Sequence, residues 1–182
     1  MPSRQRRLLL GAIGTAIGGG IAGCLGGRSA DGSTDAGTDG EPLSLPSAVT
    51  RGELPDGEVR LKEPGTVSLL NFFTTWCKPC QREMSEFREL RAAYDPDQLH
   101  MVSITPEVDE TLVEEFWTEY EGTWPVVIDG ALEATERWNA NAYPTNLLFD
   151  ADGKPASGDG PEVRARTFAE FDGLVGPLVE DS

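Results

Sequence analysis

The chain has 182 residues, enough for one domain plus extra segments, and 38% of them are apolar. It carries 31 acidic residues against 15 basic ones, a formal net charge of −16, and its only lysines are Lys62, Lys78 and Lys154. A phosphate backbone needs a basic face, so this balance argues against nucleic-acid binding.

Residues 1–23 hold Arg4, Arg6 and Arg7 and no acid, and an apolar stretch runs from Leu8 to Gly23. A charged segment ahead of an apolar one reads as a signal peptide. The stretch is too short and too rich in glycine for a membrane-spanning helix. Arg6-Arg7 followed by Leu8-Leu9-Leu10 resembles a twin-arginine export signal, with a general secretory signal as the alternative. Ile21-Ala22-Gly23-Cys24 resembles a lipobox, in which the leader is cut before a cysteine that then carries lipid. The alternative is an ordinary signal peptide with a stray cysteine. Residues 25–41 are mostly Gly, Ser, Thr, Ala and Asp with little to bury, and read as a flexible acidic tether spanning roughly 20–25 Å. The expected organisation is a signal peptide over 1–23, a lipidated Cys24 with its tether over 24–41, and a folded domain over 42–182.

Within the domain, Glu58 to Lys62 alternates polar and apolar residues and reads as an edge strand. Val67 to Phe73 is nearly continuous in apolar residues, as in a central strand buried on both faces. Met84, Phe87, Leu90 and Tyr94 recur at helical spacing and mark a buried helix face, which Asp95-Pro96-Asp97 ends. Leu99 to Ile104 is the next strand. Thr111-Leu112-Val113-Glu114 reads as a capping box, with Leu112, Phe116 and Tyr120 as the stripe of the helix it starts. A short strand over Pro125 to Ile128 and a short helix over Leu132 to Trp138 follow. Thr145 to Phe149 is a strand that Asp150-Ala151-Asp152-Gly153 turns into a hairpin. Thr167-Phe168-Ala169-Glu170 caps a last helix towards Val179, loosened by Gly173 and Gly176-Pro177. Strands alternating with helices, ending in a hairpin and a helix, predict a three-layer α/β domain with a mixed sheet.

The chemistry-bearing motif is Trp76-Cys77-Lys78-Pro79-Cys80, directly after the central strand and opening a helix. One thiolate can be stabilised there while its partner waits within bonding distance, the arrangement of a pair that alternates between dithiol and disulfide. Cys77 at the helix N-terminus is the expected nucleophile, because unpaired N–H groups and the macrodipole favour an anion there. Lys78 adds positive charge nearby, and Pro79 fixes φ where a missing N–H is harmless. Cys80, one turn inside and more buried, is the resolving cysteine. A metal site and a purely structural disulfide are the alternatives. A structural zinc site usually takes four ligands, and the domain offers only these two cysteines and His100, so no metal is expected. His100 reads as structural. Trp117, Trp124 and Trp138 read as packing residues.

Phe72-Phe73-Thr74-Thr75-Trp76-Cys77-Lys78-Pro79-Cys80, with Tyr143-Pro144-Thr145 far downstream, resembles the thioredoxin fold, and more closely the TlpA/ResA-like thiol–disulfide oxidoreductases. The resemblance covers roughly residues 42–180, and the strand and helix between Ile104 and Pro144 match that subfamily's insertion. It implies a cis peptide at Tyr143-Pro144 and a substrate-pairing role for the Tyr143 backbone. Trp76 is then the residue that covers the pair and offers an apolar contact surface. Glu83 matches a glutamate that tunes the thiols in ResA-like proteins. Minimal thioredoxins carry a buried aspartate where this chain has Asn71, which cannot transfer protons. The implied protein is a monomer on the extracytoplasmic face of the membrane, without a cofactor. Its implied partners are protein thiols or disulfides and a CcdA/DsbD-like membrane redox protein, and its implied role is reduction in cytochrome c maturation, with an oxidant or isomerase role as the alternative.

Two other classes share parts of the pattern. Peroxiredoxins have a threonine three residues before the reactive cysteine, as Thr74 stands before Cys77, but Leu70 occupies the place of their upstream proline. Sco-like copper-delivery proteins separate their cysteines by three residues and add a downstream histidine, whereas here the gap is two and no histidine follows His100. The acidity itself fits an ordinary acidic protein or, preferably, a salt-adapted one. At about 1 M salt the Debye length is near 3 Å, which screens carboxylate repulsion that dilute buffer leaves intact.

Overall fold

The computed structural model describes residues 42–50 and 54–182. The proposed leader, Cys24 and the tether lie outside the described residues. Among the described residues no helix is long and apolar enough to cross a membrane. The elements run β1 (Ser44–Pro46), β2 (Glu58–Arg60), β3 (Val67–Phe72), α1 (Lys78–Ala93), β4 (Leu99–Thr105), α2 (Glu110–Glu119), β5 (Val126–Ile128), α3 (Glu133–Arg137), β6 (Thr145–Phe149), β7 (Glu162–Val163) and α4 (Phe168–Glu180).

Five strands form a mixed sheet in the order β5-β4-β3-β6-β7. The continuous apolar run at Val67–Phe72 occupies the centre, and all six residues are buried. It pairs in parallel with β4 and antiparallel with β6. β5 adds to β4 in parallel, and β7 to β6 antiparallel. The hairpin expected after Phe149 is therefore present, with β7 as the edge. β2 joins β1 in a separate antiparallel pair and not the central sheet. The chain after β1 continues along β5, where the Ala48 N–H donates to the Val126 carbonyl at 2.8 Å.

Alternation along the strands divides the core in two. Val67, Leu69 and Phe73 face α1 and meet Met84, Phe87 and Leu90, together with Val113, Phe116 and Trp117 of α2 and Phe171 and Val175 of α4. Leu70 and Phe72 face the other way, onto Leu45, Val59, Ala134 and Phe149. Each large apolar side chain buried this way contributes on the order of 1.5–3 kcal/mol. The thioredoxin-like architecture read from the sequence is the one observed: a mixed sheet between helices, with α2, β5 and α3 between β4 and Pro144.

Two helix details differ from the sequence reading. α2 starts earlier than Thr111: Asp109 is its N-cap and its carboxylate accepts from the Leu112 N–H at 3.2 Å. Its buried residues are Val113, Phe116 and Trp117, while Leu112 of the expected stripe is 40% exposed. The second is α4, which runs through Gly173 and Pro177 to Glu180. The proline lies in its last turn, where the lost N–H leaves little helix beyond it to break. Its start agrees with the expected cap, the Glu170 carboxylate accepting from the backbone N–H groups of Arg166 and Thr167.

Candidate active site

Where β3 leaves the sheet, polar side chains pin the loop that carries the cysteines. Phe73 still pairs with β4, its N–H donating to the Ile104 carbonyl at 3.0 Å. Thr75 then donates to the Glu107 carboxylate twice, from its backbone N–H at 2.6 Å and its hydroxyl at 2.9 Å. The Gln81 amide reaches back from α1 to the Thr75 carbonyl at 2.7 Å. The Cys77 N–H donates to the Thr74 carbonyl at 3.1 Å, and the buried Thr74 hydroxyl has no hydrogen-bond partner. Glu107 has no motif of its own, and sequence reasoning missed it.

Cys77 is the N-cap of α1, and its sulfur accepts the Cys80 N–H at 3.2 Å. A first-turn N–H aimed at sulfur is the local feature that stabilises a thiolate at a helix start. The two cysteines form a disulfide, with their Cα atoms 5.3 Å apart. The expected difference in burial is absent: Cys77 is 4% exposed and Cys80 3%, so both are buried. Trp76 is 69% exposed and lines an open groove with Thr75, Leu112, Phe116 and Tyr120, rimmed by Glu115 and Glu119. The Lys78 ammonium is exposed and donates to the Gln81 side-chain carbonyl at 3.0 Å.

Glu83 follows Cys80 by one helical turn on the same buried face and is only 3% exposed. Asn146 of β6 donates its amide to Oε2 at 3.3 Å. The Arg166 guanidinium stands 3.1 Å from Oε1. Burial pushes the Glu83 carboxyl up to about 7, against the opposing pull of the Asn146 hydrogen bond and of Arg166 and Arg82. A carboxyl with that proton affinity can accept and return a proton near neutrality. Sequence reasoning singled out Glu83 but missed Asn146 and Arg166, which come near it only through the fold.

The Tyr143–Pro144 peptide is cis. It precedes β6, whose first residue, Thr145, pairs with Phe72 at the end of β3. That register brings the proline loop beside the segment leading to Cys77. Tyr143 is half-buried, and burial, then Asp129 and Glu107, push its hydroxyl up. Arg166 also reaches this loop, with Nη2 3.5 Å from the Pro144 carbonyl. His100 pairs in register with Ser68 near the opposite end of β3, and its Nε2 lies 2.8 Å from the Arg60 carbonyl. Trp117 and Trp124 are buried in the α1-side core, and Trp138 packs on Phe72 and Phe149. Among the described residues no group of three or more His, Cys, Asp or Glu is arranged to hold a metal ion.

Comparison with known proteins adds an independent line. A family profile described as Redoxin matches residues 38–164. The thiol-disulfide oxidoreductase ResA of Bacillus cereus is 32% identical over 103 residues, 56% of this chain and 60% of that protein. The sporulation thiol-disulfide oxidoreductase A of Bacillus subtilis is 24% identical over 114 residues, 61% of this chain and 69% of that protein. The chain thus spans about 60% of the length of the first of these relatives. Among solved structures, a secreted Mycobacterium tuberculosis disulfide oxidoreductase homologous to E. coli DsbE superposes with a TM-score of 0.60 at 20% identity, over 75% of this chain and 96% of that one. StoA from Bacillus subtilis superposes with a TM-score of 0.51 at 25% identity, over 63% and 84%. The structural likenesses establish the fold.

Proposed function

This chain belongs to the redoxin family, and we propose that it is a thiol–disulfide oxidoreductase acting on protein substrates through Cys77 and Cys80. The observation that carries the reading is the pair itself, disulfide-bonded at the N-terminus of α1 with the Cys80 N–H on the Cys77 sulfur. In the reduced protein the Cys77 thiolate attacks a substrate disulfide, forming a mixed disulfide and releasing one substrate thiolate. Cys80 then gives its proton to Glu83 and attacks the Cys77 sulfur. This forms the Cys77–Cys80 disulfide and releases the second substrate thiolate. Two electrons pass from protein to substrate, and every step is reversible. Trp76 with its groove is the contact surface, and the Tyr143–Pro144 loop pairs with the substrate backbone. ResA and the sporulation oxidoreductase carry this activity in their names, which supports the reading.

The finer proposal is a salt-adapted lipoprotein on the extracytoplasmic face of the membrane. It is held there by Cys24, re-reduced by a CcdA/DsbD-like membrane partner, and keeps haem-attachment cysteines reduced for cytochrome c maturation. Its support is the sequence of residues 1–41, the net charge of −16 and the resemblance to ResA-like proteins. Titration of the pair in glutathione buffers, read by thiol alkylation, tests the direction. Related pairs span about −270 to −120 mV. A midpoint near −250 mV or lower supports the reductant role, and one near −120 mV replaces it with an oxidant.

A further inference from the structure

A single row of polar side chains crosses the core on the α1 side of the sheet. Asn71 of β3 has Ser103 of β4 and Asn146 of β6 as its cross-strand partners, on the face shared with Leu69 and Phe73. The Trp124 indole N–H donates to Ser103 Oγ at 2.9 Å, and Ser103 Oγ donates to Asn71 Oδ1 at 3.2 Å. Asn71 Nδ2 donates to Asn146 Oδ1 at 2.8 Å, and Asn146 Nδ2 donates to Glu83 Oε2 at 3.3 Å. All five residues are at least 95% buried.

In the arrangement observed, the Trp124 indole can only donate, Ser103 accepts it and donates its own proton to Asn71, and each amide presents oxygen upstream and NH2 downstream. In this arrangement Oε2 meets a donor, which leaves Oε1, without a hydrogen-bond donor of its own, for a proton on Glu83. That oxygen faces Arg166, whose side chain is 43% exposed and whose other nitrogens reach the Pro144 carbonyl at 3.5 Å and the Ala165 carbonyl at 2.7 Å.

We propose that the row reserves Oε2 as a permanent acceptor, so that Glu83 takes its proton at Oε1 in competition with Arg166, a positioning residue that links this event to the Tyr143–Pro144 loop. The inference rests on the proposed role of Glu83 as the acceptor of the Cys80 proton. A substrate chain that pairs with the proline loop meets Arg166 there. Drawing the guanidinium away from Oε1 raises the proton affinity of Glu83 at the step in which Cys80 must lose its proton. The other charged groups acting on Glu83 are Arg82 and Glu86 of α1. Glu86 also accepts the Phe168 N–H at 2.8 Å, which holds the start of α4 against α1.

The test is a carbon-13 NMR titration of the Glu83 carboxyl in the full-length disulfide form, assigned by its loss in Glu83→Gln. Arg166→Gln should raise the midpoint by about one pH unit, a tenfold gain in proton affinity, and Arg166→Lys should restore most of it. Asn146→Leu should raise it as well, and Ser103→Ala, a milder change, by a few tenths of a unit. A midpoint indifferent to Arg166→Gln or to Asn146→Leu overturns the proposal. In the disulfide form neither cysteine titrates, so the result does not depend on exchange activity. Shifts as stated in a protein that exchanges no disulfides would remove the functional reading and keep the competition at Oε1.

Discussion

Burial outweighs the cationic neighbours at Glu83, and this has a consequence for stability. Its carboxyl sits at about 7 in the folded protein against an ordinary 4.5. Between those values the folded state binds the proton more tightly than the unfolded chain. Glu83 therefore stabilises the fold fully below about pH 4.5, and that contribution is lost as the pH rises through about 7. Chemical denaturation of the disulfide form should show wild type losing on the order of 2–3 kcal/mol across this window relative to Glu83→Gln. Parallel profiles for the two proteins would refute the shift. The cysteines were legible because a two-residue gap is a local signal, and Glu83 because it lies one turn further on the same helix. Its burial was not legible, since Asn146 and Arg166 lie far along the chain and meet it only when β6 and the start of α4 fold onto α1.

At the scale of elements, the central strand and the first helix could be read because one apolar period governs each. The start of α2 lies two positions before the one the Thr-x-x-Glu pattern points to, because that pattern outranks an aspartate two residues earlier. The revised cap can be tested in urea: Asp109→Ala should cost about 1 kcal/mol and Thr111→Ala only a few tenths. The reverse order would restore the Thr111 cap. Past the end of α2 the Gly122 N–H donates to the Trp117 carbonyl at 2.8 Å, and a Cβ at Gly122 would collide with the Trp117 indole. That ring is fully buried against Phe73 and Trp124 and has nowhere to go. Gly122→Ala should therefore destabilise by about 1–3 kcal/mol in the same assay, and a neutral substitution would mean that the ring can shift.

For the molecule as a whole, the mixed sheet positions the site, and the formal net charge is −16. Carboxylate repulsion works against compaction in dilute buffer and is screened at about 1 M salt. The melting temperature should rise steeply with added potassium or sodium chloride, and a flat dependence would end the salt-adapted reading. Composition made that expectation possible, whereas the burial of both cysteines and the exposure of Trp76 depend on tertiary packing that no local pattern encodes. In the proposed exchange Cys77 attacks and Cys80 resolves. The most direct test is mass spectrometry of reduced Cys80→Ser and Cys77→Ser proteins after exposure to a disulfide-bonded protein substrate. We predict a stable mixed disulfide on Cys77 in Cys80→Ser and little or none in Cys77→Ser. Equal trapping on Cys80, or no adduct in either, would contradict the account.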